Sequence, residues 1–62
     1  MFGQVIQFYR GYGFIKGDDG MPYYVRSGDI RLPSGFLAKG SHVEFRPSTN
    51  DKGRIALDVR PL

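Results

Sequence analysis

The sequence contains no cysteine and no tryptophan, and it has a single histidine, His42. Without cysteine, neither a disulfide nor a thiolate metal site can form, and this composition predicts a reducing, cytoplasmic setting. No apolar run approaches the roughly 20 residues that span a membrane, and no signal-peptide pattern opens the chain. We therefore expect no association with a membrane.

Groups that carry catalysis or bind metals are also scarce. No cluster of further ligands accompanies His42, which is predicted to lie on the surface at the start of a strand. Asp18 and Asp19 are neighbours in a glycine-flanked segment, and turn chemistry explains both carboxylates. No helix pattern follows the Gly-x-Gly of residues 11–13, which argues against a dinucleotide-binding loop. We predict a protein that is not an enzyme and holds no metal or cofactor.

Helical patterning is nearly absent, because no apolar stripe with a period of 3.6 residues lasts three turns. Short strand-like runs recur instead, and turn residues separate them, which predicts one all-β domain over residues 1–62. Closing such a small sheet into a barrel removes most of its free edges. The predicted strands cover residues 2–9, 12–16, 22–27, 41–46 and 54–60, with Pro47 ending the fourth, a polar turn at 49–53, a 3₁₀ turn near 27–30 and a loop over 28–40.

Side-chain alternation assigns faces to the second and third strands, which a tight turn joins into a hairpin. Ile15 and Val25 are the aliphatic residues of this hairpin, so their face is predicted to line the core. The opposite face then carries three rings and two cations, namely Tyr12, Phe14, Lys16, Tyr24 and Arg26. Aromatic residues also favour strands for packing reasons alone, and a register slip of one residue would exchange the two faces.

The predicted core collects the apolar residues that alternate inward along the five strands. Tyr23 joins this face, and its hydroxyl is expected to reach the rim of the barrel. Leu37, in the long loop, is expected to cover one end. The remaining core positions are Val5, Phe8, Ile15, Val25, Ile30, Val43, Phe45, Ala56 and Val59.

Exposed rings beside cations indicate single-stranded nucleic acid as the ligand, because bases stack on rings while Lys and Arg contact phosphates. The net charge of +3 and the pI near 9.6 favour the same class only mildly. A small β-barrel that binds another protein through this patch is the alternative, with Arg26 as an interface anchor. We expect a monomer, and a strand-swapped dimer through the 28–40 loop is the other possibility.

Two stretches resemble the cold-shock domain family of bacterial cold-shock and Y-box proteins. The stretch "GYGFI" at 11–15 is similar to its first RNA-binding motif, usually Lys-Gly-Phe-Gly-Phe-Ile. The stretch "YYVRSGDI" at 23–30 is similar to the second, usually Val-Phe-Val-His-Phe-Ser. The resemblance implies a five-stranded antiparallel OB-type barrel that binds single-stranded RNA or DNA by stacking. It also implies a role as an RNA chaperone or as a regulator of transcription or translation.

The resemblance assigns binding roles residue by residue. Tyr12 and Phe14 match the stacking pair of the first motif, and Tyr24 matches the central aromatic of the second. Arg26 stands where the family has a stacking His, and its planar guanidinium can also stack. The further residues that we predict to contact nucleic acid are Phe36 as a loop aromatic, Arg10 in place of a Lys, Lys16 on the aromatic face and Arg54 on the cationic rim.

Two of the family's stacking positions hold other residues in this chain. Gln7 stands in place of the first-strand Trp, and Ser27 in place of an aromatic. In a regular strand, Tyr9 shares the face of Gln7 and its ring replaces the Trp, whereas a bulge would turn it away. Gln7 and Tyr9 complete the predicted binding set.

Overall fold

Five strands form a closed barrel in the computed structural model, which describes residues 1–62. The strands are β1 (Phe2–Phe8), β2 (Tyr12–Gly17), β3 (Pro22–Arg26), β4 (His42–Asn50) and β5 (Gly53–Pro61), and a short 3₁₀ helix covers Ser27–Asp29. Their order around the barrel is β1-β2-β3-β5-β4. The predicted all-β, five-stranded OB-type barrel is confirmed, with one parallel contact, Tyr24 opposite Ile55, between β3 and β5. No helix here has the length and apolar character to cross a membrane.

The β2–β3 hairpin pairs in the register that alternation predicts. A turn at residues 18–20 joins the strands, and Gly20 adopts the positive φ of +82° that favours glycine. Directly opposed residues share a face, and Ile15 lies opposite Tyr23 inside the barrel. Phe14 therefore lies opposite Tyr24 on the outside.

A bulge in β1 adjusts its register against β2. Val5 pairs with Ile15 and Gln7 pairs with Phe14, which leaves Ile6 without a partner. The extra residue places Gln7 on the outer face and directs Phe8 towards Gly13, where the strands approach closely. The alternation of side chains along β1 does not predict this bulge, because the bulge is defined by how β1 pairs with β2.

β4 is longer than the sequence indicates, so the prediction that Pro47 ends the strand at Arg46 is wrong. Pro47 lies within β4, opposite Ala56 of β5, and the strand continues to Asn50. The pairing of β1 with β4 covers only the first part of β4, from His42 to Glu44. Met1 extends this pairing by one residue through two hydrogen bonds with the Phe45 backbone. From Arg46 onward no residue of β1 pairs with β4, and a residue without an N–H is tolerated on such a free edge.

The interior holds ten buried apolar residues that pack as one cluster. The cluster confirms the predicted core at every position except Phe8, which is only half-buried. Phe8 lies at the edge of the cluster, and its ring meets Phe36 edge-to-face at 5.4 Å between centroids. The buried set is Val5, Ile15, Tyr23, Val25, Ile30, Leu37, Val43, Phe45, Ala56 and Val59.

A second bulge lies in β5 at Asp58, the one non-glycine residue with positive φ, at 53°. Asp is among the few residues that tolerate this conformation. Its carboxylate accepts a 2.6 Å hydrogen bond from Arg31 Nε and lies 3.4 Å from an Arg60 nitrogen. The hydrogen bond from Arg31 lowers the pKa of Asp58 and, in turn, raises the pKa of Arg31. The pair ties the segment after the 3₁₀ helix to β5, beside the bridge between Ile30 and Val59.

Tyr23 extends from the core to the β2–β3 turn, as the sequence predicts for its hydroxyl. The hydroxyl donates a 2.6 Å hydrogen bond to Asp19 Oδ2, and the Met21 N–H donates to Oδ1 at 3.0 Å. The bond from Tyr23 is the main reason why the pKa of Asp19 lies below its usual 3.8. The same bond raises the pKa of Tyr23 above its usual 10.0. Both carboxylate oxygens of Asp19 thus accept hydrogen bonds that stabilise the β2–β3 turn.

Replacing Gly13 by alanine is expected to destabilise the barrel, because a Cβ there would lie 2.5 Å from both the Gln7 carbonyl oxygen and Phe8 Cδ2. Overpacking of this kind costs roughly 1–3 kcal/mol or more in the free energy of unfolding. Urea unfolding of G13A measures the loss. The matched control is G28A, whose Cβ meets nothing within 4 Å. An unfolding midpoint for G13A equal to that of G28A would contradict the close approach.

The Tyr23–Asp19 bond predicts a pH-dependent part of the stability. Asp19 has its pKa lowered, so its contribution is complete above pH 3.8 and is lost as the pH falls through the folded-state value. Tyr23 has its pKa raised, so its contribution is complete below pH 10.0 and is lost as the pH rises through its folded-state value.

Between these limits we expect Y23F to be less stable than the wild type by a constant amount, and the difference should narrow at both extremes. Urea midpoints measured across the pH range test this. Y12F serves as the control, because it also removes a tyrosine hydroxyl but leaves the Asp19 bond in place. A Y23F difference that stays the same at every pH would rule out the coupling.

Candidate nucleic-acid interface

Four rings form a continuous surface on the outside of β2 and β3, which we call the aromatic wall. The Tyr9 and Tyr12 centroids are 5.2 Å apart, and Tyr12 lies 6.3 Å from Phe14 and 6.0 Å from Tyr24. Phe14 and Tyr24 are 5.9 Å apart with their planes at 65°. These distances fit favourable aromatic pairs, so the rings stabilise one another while their outer surfaces stay open.

The rings of the wall face solvent because each strand turns its aliphatic residues inward. Tyr9 is 47% exposed, Tyr12 40% and Phe14 36%, and Tyr24 is half-buried, whereas Ile15 and Val25 on the opposite face are fully buried. Together the rings form one patch rather than scattered apolar residues, and such patches on small proteins commonly mark binding sites.

Tyr9 joins the wall although it lies beyond the end of β1. Its N–H donates a 2.7 Å hydrogen bond to the Tyr12 carbonyl, which closes the β1–β2 connection and lays the two rings side by side at an angle of 34°. The bulge at Ile6 precedes Gln7, so it does not turn Tyr9 away. Gln7 lies opposite Phe14, half-buried, and places a polar side chain on this face.

Cations border the wall on the same face. Arg26 lies directly opposite Tyr12, and its side chain is 71% exposed with one long ionic contact, 3.9 Å from Nε to Asp29 Oδ2. Lys16 lies between Gln4 and Pro22, and it forms no ion pair. Both cations are therefore available to an anionic ligand that lies across the rings.

A cleft lies at each end of the wall. The first, of about 650 Å³, separates Phe14 and Tyr24 from the β4–β5 turn, and we call it the hairpin cleft. Arg54, predicted as part of the cationic rim, lines it together with Lys52. The second, of about 610 Å³, lies between the β1–β2 connection and the long loop.

The second cleft brings together the remaining predicted site residues. Arg10 and Phe36 line it beside Tyr9, and Phe36 is 55% exposed. All ten predicted contact residues therefore lie on the wall, beside it or in one of its two clefts.

Sequence reasoning missed Asp29 and Lys52, which line the hairpin cleft. Asp29 belongs to the 3₁₀ helix and Lys52 to the β4–β5 turn, so they are distant in sequence. They face one cleft because β3 and β5 run side by side in parallel at Tyr24 and Ile55. A local pattern carries no signal for that pairing.

No group of three or more His, Asp or Glu side chains is arranged to hold a metal ion. No protein-family model matches the chain, and no curated protein matches it at a significant level. The resemblance to cold-shock domains therefore depends on the motif residues and stays a prediction.

The exposed position of the wall predicts a contrast in stability between two phenylalanines. F14A removes a ring that is 36% exposed and packs only on its neighbours, so it should lower the free energy of unfolding by about 1 kcal/mol or less. F45A removes a ring that is 3% exposed, and comparable core truncations cost about 3–5 kcal/mol. Urea midpoints of both variants measure the contrast. Equal losses would mean that Phe14 is a core residue.

Proposed function

We propose that the protein binds single-stranded RNA or DNA by stacking consecutive bases on the aromatic wall while phosphates contact the bordering cations. The observation that carries this proposal is the row of four neighbouring rings, three of them exposed and Tyr24 half-buried, each within 6.3 Å of another, with Lys16 and Arg26 on the same face. Every base offers a face for stacking, so the wall accepts many sequences.

The size of the site fits an affinity in the micromolar range. Stacking contributes about 1–3 kcal/mol per base, so four rings supply roughly 4–12 kcal/mol before the costs of ordering the strand. A net binding free energy near −8 kcal/mol corresponds to a dissociation constant of about 1 μM. A ligand of about seven nucleotides would cover the wall and reach into both clefts.

The cations favour nucleic acid over a protein partner. Lysine is depleted at the centres of protein interfaces, whereas Lys16 lies on the outer face of β2 beside the rings. Arg10 and Arg54 then extend the positive border into the two clefts. This arrangement suits a polyanion that runs from one cleft to the other along the wall.

The likeness of the two motifs to those of cold-shock domains supports the same assignment. On this view the protein is a non-catalytic cold-shock-type RNA chaperone or regulator of transcription or translation. It would act in the cytoplasm as a monomer.

We expect a heptamer of thymidines to quench the tyrosine fluorescence with a dissociation constant near 1 μM, since three of the four wall rings are tyrosines and no tryptophan masks them. F14A should raise this constant by about fivefold or more, because it removes one stacking ring. The matched control is F2A, because Phe2 is 53% exposed but has no part in the wall.

Salt gives the second readout of the same titration. Each phosphate contact should weaken binding by about fivefold for a tenfold rise in salt concentration. The proposal would be contradicted by a dissociation constant that does not change with salt concentration, or by one that F2A raises as much as F14A does. A concentration-dependent dimer without any quench would favour the protein-interface alternative.

A further inference from the structure

Asp29 places a carboxylate at the hairpin cleft, beside the aromatic wall. Its side chain is only 28% exposed, so the surrounding chain holds it in place. It accepts no hydrogen bond within the protein, and its one ionic contact, with Arg26 Nε, is long at 3.9 Å. Phe14 and Tyr24 line the same cleft, so rings on which a base can stack and this carboxylate border one space.

We propose that the hairpin cleft is a subsite selective for guanine, in which the Asp29 carboxylate accepts hydrogen bonds from the N1–H and the 2-amino group of one base. This inference rests on the proposed function and adds a base preference to one position of the wall. A carboxylate has two acceptor oxygens side by side, and guanine presents two adjacent donors at the matching spacing.

The other bases match the carboxylate less well. Cytosine and adenine each offer one amino group beside a ring nitrogen that is an acceptor, and that acceptor repels the second oxygen. Thymine and uracil offer one N–H between two carbonyl oxygens, so both flanks repel the carboxylate. The expected order is guanine first, cytosine and adenine next, and thymine or uracil last.

The remaining polar side chains of the cleft leave this role to Asp29. Asn50 Oδ1 already accepts a 2.9 Å hydrogen bond from the Lys52 N–H. Asp51 lies on the exposed tip of the β4–β5 turn. The cationic side chains at the cleft, Arg26, Lys52 and Arg54, are donors without acceptors, so they suit phosphates or the O6 and N7 atoms of guanine.

The test compares a heptamer of thymidines with seven variants that each carry one guanine. The strand with guanine at one particular position should have a dissociation constant about tenfold lower than that of the all-thymidine strand. This is the gain expected for a base that makes two paired hydrogen bonds. D29N should abolish that gain, because an amide has one acceptor oxygen and its NH2 group would face the second donor of guanine. The matched control D51N also removes one carboxylate from the cleft and should keep the gain.

Base analogues separate readout by Asp29 from readout by the arginines. Replacing guanine by 7-deazaguanine removes N7 and keeps both donors, so the gain should persist. Replacing it by hypoxanthine removes the 2-amino group, so most of the gain should disappear. The inference is overturned if no position prefers guanine, if D29N keeps the preference, or if 7-deazaguanine loses it.

Failure of this inference is distinguishable from failure of the proposed function. If the all-thymidine strand binds and F14A weakens it, but guanine brings no gain, only the selective subsite is refuted. If no strand binds at all, the proposed function and the subsite fall together.

Discussion

The register of β2 against β3 is the constraint on which the rest of the molecule depends. It opposes Ile15 to Tyr23 inside the barrel and Phe14 to Tyr24 outside, so one pairing builds both the core and the aromatic wall. A slip of one residue would bury the wall and expose the aliphatic residues. The burial of Ile15 and Val25 therefore keeps the rings on the outside of the barrel. The candidate site thus lowers the stability of the fold only by leaving apolar rings exposed to water.

Closure of the barrel gives this register its rigidity. A chain of 62 residues has a small core, and a two-stranded hairpin alone is marginally stable. β1 packs along β2 with a bulge at Ile6, and β5 meets β3 near Tyr24, so both edges of the hairpin are covered. The same two contacts set the ends of the wall, because Tyr9 follows β1 and the β4–β5 turn borders the hairpin cleft.

Alternation alone predicts the faces of β2 and β3, because Ile15 and Val25 are the aliphatic residues of the hairpin, although a register slip of one residue would have exchanged the faces. It also predicts the core, apart from Phe8, whose ring lies at the edge of the core cluster beside Phe36. It fails where the outcome depends on a distant partner. The continuation of β4 through Pro47 requires knowing that β1 leaves that edge free, and Asp29 becomes part of the cleft only through the parallel contact of β3 with β5.

The most direct test of the account is to follow the ring protons of the aromatic residues by NMR while a single-stranded oligonucleotide is added. Stacked bases should shift the ring resonances of Tyr9, Tyr12, Phe14 and Tyr24 upfield and saturably, because ring currents act over short distances. The buried rings of Tyr23 and Phe45, which are 5% and 3% exposed, should barely move. Shifts confined to rings outside the wall, or no shifts at saturating oligonucleotide, would contradict the claim that the wall is a binding surface.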